Sequence, residues 1–432
     1  MTFGDYIKEI RIKAGYNSQV QFADAMGCTE RTISRWENNE NPMSDKYLTE
    51  IAIICKADLN RLRQLNYKLL LSKSEKKSAF KQLSERIKDS TREIDVTSLS
   101  AHNIDWIHLV DGVAINDETT VDESKETAGG SGANTSSTLA QLRLRVACLG
   151  ICTNDKNGRF LIDRLKSVGV DTDNIHIVND ENSNSGNTSI YTDFKGHRTI
   201  FIHKSINDSF TKIYKSDELC SRFSQPIKNS KVIHLSSFQE SEINDIQKKI
   251  ARRLSEDQIL TFTPGALQAK YGVKRLLPIL QRTNLLFLDI HQLRTILKTE
   301  YTDIRKDTDI SDLISKFFDW RKSEKFTEPF ILTVITPKNL RKSVSETGYI
   351  AIGDCYDKKT PILTTEHLNI PNVKRKIRDA TGAGDNTAAG IISGLFHKDS
   401  IDKSAERAYK LAVMVAGQLG GRLPEDIDLD SL

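Results

Sequence analysis

The sequence predicts an all-α head, a charged helical connector and a layered α/β domain. Three observations carry this. Residues 1–66 have helical patterning throughout. Residues 67–103 are rich in Lys, Glu and Ser, as a solvated helix would be. From Ile104 onward, β-branched runs alternate with amphipathic segments, the pattern of a layered α/β fold, so the third part is 104–432. A chain of 432 residues is also long for a single domain.

Composition narrows the function classes. The chain is 38% hydrophobic and 28% charged, normal for a globular protein with true cores. A net charge of +4 does not by itself argue for nucleic-acid binding, so any such role must rest on local sequence. The N-terminus lacks a basic stretch followed by an apolar core, and no apolar run could span a bilayer; a cytoplasmic protein is expected. Six scattered cysteines include no C-x-x-C pair, and they read as reduced core thiols rather than a zinc site.

In the head, Phe3, Tyr6, Ile7 and Ile10 line one face of a first helix that Gly15 ends. Ser18 can cap a second helix from Gln19 to Met26, and Gly27-Cys28 turns the chain. Thr29 can cap a third helix, Glu30 to Glu37. Its Ile33 and Trp36 face inward, which leaves Arg31, Thr32, Ser34 and Arg35 outside. A helix, a turn and a helix with exposed Arg and Ser suits the major groove.

Ser18-Gln19, Phe22-Ala23, Gly27-Cys28-Thr29 and Thr32 to Glu37 resemble the Cro/repressor (XRE-type) helix-turn-helix family. Pro42, Leu48, Ile51, Ala52 and Leu62 match the later helices of that five-helix domain. The resemblance implies double-stranded DNA as a partner. It places Gln19 on backbone phosphate and Arg31, Ser34 and Arg35 near bases or phosphates. A helical bundle used only for protein contacts is the competing reading, and Glu30 and Glu37 favour it slightly.

In the connector, Leu83 and Ile87 recur at a spacing of four, as on one amphipathic helix. Near the other end of the chain stands Asp379-Ala380-Thr381-Gly382-Ala383-Gly384-Asp385, followed by a small-residue helix. Such a turn aims backbone N–H groups at an anion, and Asp385 is placed to accept a proton from an attacking hydroxyl. Alone, this could be a glycine turn capping a core helix. It is accompanied by strand Ile107 to Val110, by Gly112 to Asp117, and by Ala128-Gly129-Gly130-Ser131-Gly132-Ala133-Asn134 opening a helix. A strand from Val146 to Leu149 and a hairpin from Tyr191 to His203, turning at Lys195-Gly196, follow.

In this order, these segments resemble the ribokinase (PfkB-type) carbohydrate kinases over about 104–421. The resemblance implies a ribokinase-like α/β domain with a small β lid, and an ATP-dependent kinase acting on a sugar or nucleoside hydroxyl. It makes Asp385 the base and Gly382, Ala383 and Gly384 the anion hole. It gives the substrate to Asp117, Gly129, Gly130 and Asn134. Magnesium would arrive with the nucleotide, with no protein-only metal site. The lid, about 113–127 and 186–203, and the repressor-type head both imply a homodimer.

Two features depart from the family pattern. Asp289 and Gln292 stand where Asn and Glu are usual beside Mg²⁺ and phosphate, and Asp379 belongs with this nucleotide-side group. Thr333 is followed by Ile335 where a glycine is usual. Two functions therefore stay open: a kinase tied to transcriptional control, and a ligand-sensing regulator that has lost turnover.

Overall fold

The computed structural model describes residues 1–74, 79–113, 117–193, 198–215, 217–239, 241–305, 310–326, 328–335, 348–354, 362–368 and 378–424. The head holds α1 (Phe3–Lys13), α2 (Gln19–Ala25), α3 (Glu30–Glu37), α4 (Asp45–Ile54) and α5 (Leu59–Ser74). Thr2, Ser18 and Thr29 cap the first three through their side-chain oxygens. Phe3, Ile7, Phe22, Ile33, Trp36, Ile51 and Leu62 close a core made only of head residues.

α6 (Ala79–Asp89) follows. The stretch 67–103, expected as a connector, is more than that. Phe80, Leu83 and Ile87 of α6 are buried in the main α/β core. The next segment, β1 (Ile94–Leu99), is paired on both edges inside the large sheet. Its Val, Thr and Leu are buried on both faces, as parallel central strands require. The polar residues Asp95, Thr97 and Ser98 made it read as connector.

The remaining strands are β2 (Asn103–Val110), β3 (Val121–Gly129), β4 (Val146–Thr153), β5 (Ile175–Val178), β6 (Gly186–Asp193), β7 (Arg198–Ile202), β8 (Ser230–Ser236) and β9 (Ile259–Thr263). β10 (Leu285–Asp289), β11 (Ile331–Ile335), β12 (Gly348–Asp354) and β13 (Ile362–Leu368) complete them. Nine form one sheet in the order β13-β12-β11-β10-β9-β8-β1-β4-β5. Its pairs are parallel except β11–β12 and β12–β13. The other four form a small sheet, β3-β2-β6-β7. The β6–β7 hairpin matches the expected one, and its turn lies outside the described residues.

Helices cover both faces of the large sheet: α7 (Ser131–Gln141), α8 (Lys156–Lys166), α9 (Phe210–Tyr214), α10 (Asp217–Lys228), α11 (Ile243–Arg253) and α12 (Gly265–Ala269). α13 (Gly272–Leu280), α14 (Ile290–Leu297), α15 (Ile310–Ser323), α16 (Ala383–His397) and α17 (Ile401–Ala416) follow. One core lies under α11, α13, α14 and α15, and another under α6, α7 and α16. α16 is built of Ala, Gly, Ile and Ser, so it can sit deep: Gly390 lies against the Ala408 backbone of α17. Ser84 of α6 donates to the Leu395 carbonyl of α16 at 2.7 Å. Among the described residues, no helix is long and apolar enough to cross a membrane.

Candidate active site

The site forms where α16 begins. Gly382 caps it in the left-handed region at φ 77°, with its Cα against the Gly421 backbone. A β-carbon there would lie 2.4 Å from Gly421, so only glycine fits. Ala383, Gly384 and Asp385 occupy the first turn, where N–H groups lack partners four residues back. The expected anion-hole residues thus lie at a helix N-terminus whose dipole attracts negative charge. Asn386 braces the turn by donating to the carbonyls of Gly382 at 2.8 Å and Gly421 at 2.9 Å.

Asp385 meets the N-terminus of α7. Ser131 Oγ donates to its Oδ1 at 2.6 Å, and Asn134 Nδ2 donates to its Oδ2 at 2.9 Å. Burial pushes the Asp385 carboxyl up to about 6, against the pull of those two hydrogen bonds and the Arg198 charge on the lid. A base poised near neutrality can take a hydroxyl proton and still release it. Because the ionised form is the base, kcat/KM is expected to rise with pH through about 6 and level above it. A flat profile from pH 5 to 8 would remove Asp385 from that role.

Gly129, Gly130 and Asn134 join this cluster. Gly130 caps α7 at φ 98°. Asn134 is buried between Asp385 and Arg422, whose Nε donates to its Oδ1 at 3.3 Å. Gly129 lies against a carboxylate not singled out from sequence, since a β-carbon on it would fall 1.9 Å from Asp105 Oδ2. Asp105 sits on β2, level with Thr127 and Thr188, and accepts a hydrogen bond from Thr188. Burial raises its carboxyl to about 7, while Thr188 and the Arg422 charge pull it back. Arg422 stays a cation, although burial draws its pKa down to about 10.

Asp117 is elsewhere. It is exposed between β2 and β3, and its Oδ1 accepts from the N–H of Glu118 at 2.8 Å. The structure therefore brings Asp105, not Asp117, to the glycine turn. An aspartate after a glycine segment looked like a loop ligand, but the strand pairing carries the chain past it. Asp105 had one local signal, an acidic residue within a strand of mostly apolar residues.

The nucleotide-side residues separate. Asp289 Oδ1 accepts from the Gln292 N–H at 2.7 Å, and Gln292 Oε1 accepts from the Asp289 N–H at 3.1 Å. They form a capping box on α14. They stand at the carboxyl ends of the parallel strands, where such sheets bind ligands. Thr333 lies two residues inside β11, fully buried with its Oγ1 unpartnered among the described residues, rather than at the strand mouth. Ile335 occupies that mouth, and its Cδ1 lies 3.9 Å from where a Gly384 β-carbon would be. Asp379 is spent on structure: Oδ1 accepts from Thr381 N and Oγ1 at 2.9 and 2.7 Å, and Oδ2 from Gly420 N at 3.2 Å. No group of three or more metal-binding side chains occurs among the described residues.

On the head, Arg31 and Arg35 are exposed on α3. Arg35 reaches Glu40 at 3.7 Å, a loose surface pair that DNA phosphate could displace. Ser34 accepts from Asn38 Nδ2 at 3.3 Å. Gln19 opens α2, and its amide donates to Glu37 at 2.7 Å. Glu37 also pairs with buried Arg11 at 2.6 Å. Two of the expected DNA contacts are thus free of strong internal ties, whereas Gln19 is held by Glu37. Arg35→Ala is expected to weaken operator binding about 5–100-fold, the cost of one arginine contact, and to leave turnover unchanged. Fluorescence anisotropy on a selected operator measures it; unchanged affinity would count against groove reading.

The sequence profile of the pfkB family carbohydrate kinases matches residues 93–319 and 359–428, and that of a helix-turn-helix family matches 7–62. An uncharacterized sugar kinase of Archaeoglobus fulgidus is 24% identical over 292 residues, covering 67% of this chain and 99% of its own. An ATP-dependent ribose-1-phosphate kinase of Halopiger xanaduensis is 25% identical over 334 residues, covering 76% and 94%. Among solved structures, ribokinase from Cryptococcus neoformans in complex with ADP superposes with a TM-score of 0.59 at 16% identity, covering 77% of this chain and 95% of its own. Adenosine kinase from Schistosoma mansoni with 2-fluoroadenosine gives 0.60 at 14%, covering 79% and 100%. Taken with the N-terminal α16 turn, these matches place the chain in the pfkB family of carbohydrate kinases, phosphotransferases with an alcohol acceptor, here preceded by an XRE-type helix-turn-helix domain.

Proposed function

We propose that this chain transfers the γ-phosphoryl group of Mg-ATP to a hydroxyl of a sugar or nucleoside, and that its head ties this activity to transcriptional control through double-stranded DNA. One observation carries the first part. Asp385 is half-buried at the helix N-terminus and is held by Ser131 and Asn134. Phosphoryl transfer needs little beyond positioning, charge stabilisation and a proton acceptor, and this constellation offers all three. Asp105, with Gly129 and Asn134 beside it, is the group suited to grip vicinal hydroxyls. The relatives named for sugar and nucleoside substrates support that acceptor class.

Magnesium would be held by the nucleotide phosphates, with Asp289 at the carboxyl end of β10 offering a carboxylate oxygen. It would neutralise charge on the transferring group. A homodimer is part of the reading. On one face of the lid, Trp106 of β2 and Phe201 of β7 are exposed in the same register row with Ser189 between them, an apolar surface of the kind that subunits cover. Both ATP and DNA point to the cytoplasm.

A second reading, a ligand sensor without turnover, draws on Ile335 beside Gly384 and on the capping pair Asp289–Gln292. Purified protein offered sugars and nucleosides with Mg-ATP separates the two. Phosphorylated product supports the kinase. Its absence across the panel, with ligand-dependent DNA binding intact, would establish the sensor instead.

A further inference from the structure

Arg422 is a half-buried cation that the reaction described above does not require. Its guanidinium carries five N–H donors. Nε reaches Asn134 Oδ1 at 3.3 Å and Nη2 reaches the Gly129 carbonyl at 3.4 Å, both long and both to neutral oxygens. Nη1 is buried with no acceptor among the described residues. Leaving such a donor unpaired costs stability, so an arginine with a buried, unpaired N–H calls for an explanation.

Its surroundings are cationic. Arg422 lines a cavity of about 220 Å³ between β3, α8 and the segment 418–424. Among the described residues, the charged groups of that wall are Lys125, Arg164 and Arg422 against Glu126 alone. Glycines admit the arginine: a β-carbon on Gly421 would lie 2.5 Å from Asn134 Nδ2. Arg422 is one side chain from the base, through Asn134. Among the described residues no carboxylate hydrogen-bonds to it, and Asp105 acts on it through its charge.

We propose that Arg422 is a specificity-determining residue that binds an anionic group, a phosphate or carboxylate, on the hydroxyl-bearing substrate. This rests on the kinase reading and names the acceptor more narrowly. The planar fork of arginine matches either anion in two parallel bonds. Three cationic side chains against one carboxylate on the cavity wall favour an anionic group over a neutral one, and a phosphate or carboxylate oxygen would give Nη1 the acceptor it lacks.

The test is equilibrium binding without nucleotide, so turnover plays no part. Isothermal titration of the full chain compares matched probes: ribose with ribose 5-phosphate and ribonate, and inosine with inosine 5′-monophosphate. At least one anionic member is expected to bind about 10-fold or more tighter than its neutral partner. Arg422→Gln is expected to weaken that binding about 30-fold or more and neutral binding less than about 3-fold. Arg422→Lys keeps the charge without the fork and should fall between. Equal binding of neutral and anionic partners, binding of neutral members alone, no binding by any anionic member, or equal losses for both in Arg422→Gln would each overturn the proposal. Should Arg422→Gln not fold, the wild-type comparison decides alone. Absence of product with Mg-ATP despite selective anion binding would remove the kinase reading and leave Arg422 in place.

Discussion

Asp385→Asn is expected to lower kcat about 10²–10⁴-fold, the usual contribution of a positioned general base. Asparagine keeps the shape of the side chain. Its oxygen can accept from Asn134, and its amide can donate to Ser131 Oγ, so the local hydrogen bonds survive in number. Acceptor binding should therefore change little, and the loss should fall on kcat rather than KM. The same substitution has an opposite effect on stability. The folded carboxyl titrates near 6, above its ordinary 3.8, so the folded state holds its proton more tightly than the unfolded chain. Stability from this group thus falls as pH climbs from about 4 to 6, and stays lower above. Asp385→Asn removes that cost and is expected to stabilise the protein at pH 8 by about 1–3 kcal/mol, with the gain fading towards pH 4. Denaturation at the two pH values, with single-turnover kinetics, measures both. A variant that keeps wild-type kcat would take the base role from Asp385.

Gly382→Ala is expected to damage fold and chemistry together. At φ 77° an alanine pays the left-handed penalty of about 1–2 kcal/mol. Its methyl would also stand 2.4 Å from the Gly421 backbone, which cannot yield as a flexible side chain would. Overpacking of that kind costs about 1–3 kcal/mol more. Because Gly382 sets the first turn of α16, the strain would turn the N–H groups of Gly384 and Asp385 away from the transferring group. A loss of about 10²–10³-fold in kcat is expected, comparable to removing one oxyanion donor. Gly384→Ala is the control for the fold. Its β-carbon would meet only Ile335 at 3.9 Å, and its stability should change by no more than about 0.5 kcal/mol. Equal stability of the two variants by chemical denaturation would refute this account of the turn.

The parts of the fold legible in the sequence are those where chemistry and local geometry coincide. Gly129 to Asn134 and Asp379 to Asp385 each need glycines for close approach at a helix start, so their spacing survives in one dimension. The helix-turn-helix was legible for the same reason, because Thr29, Ile33 and Trp36 encode a cap and a buried face within eight residues. Asp105 was not. It lies mid-strand, and its meaning depends on β3 running back so that Gly129 can meet its carboxylate. Arg422 was invisible for a related reason. It lies beyond α17, and its partners Gly129 and Asn134 are almost 300 positions earlier. The polar residues of β1 hid a central strand, since parallel strands buried on both faces lack alternation.

Asp379 fastens the catalytic turn to Gly420, and Arg422 reaches from the same segment to Asn134. Translation reaches these residues well after the head. The head, whose core uses only its own residues, has left the ribosome long before. At about 5–20 residues per second, roughly 360 further residues separate the head from Arg422 by some tens of seconds. For that interval each nascent chain presents a helix-turn-helix head without a finished pocket around Asp385, so the two halves of this protein come of age at different times.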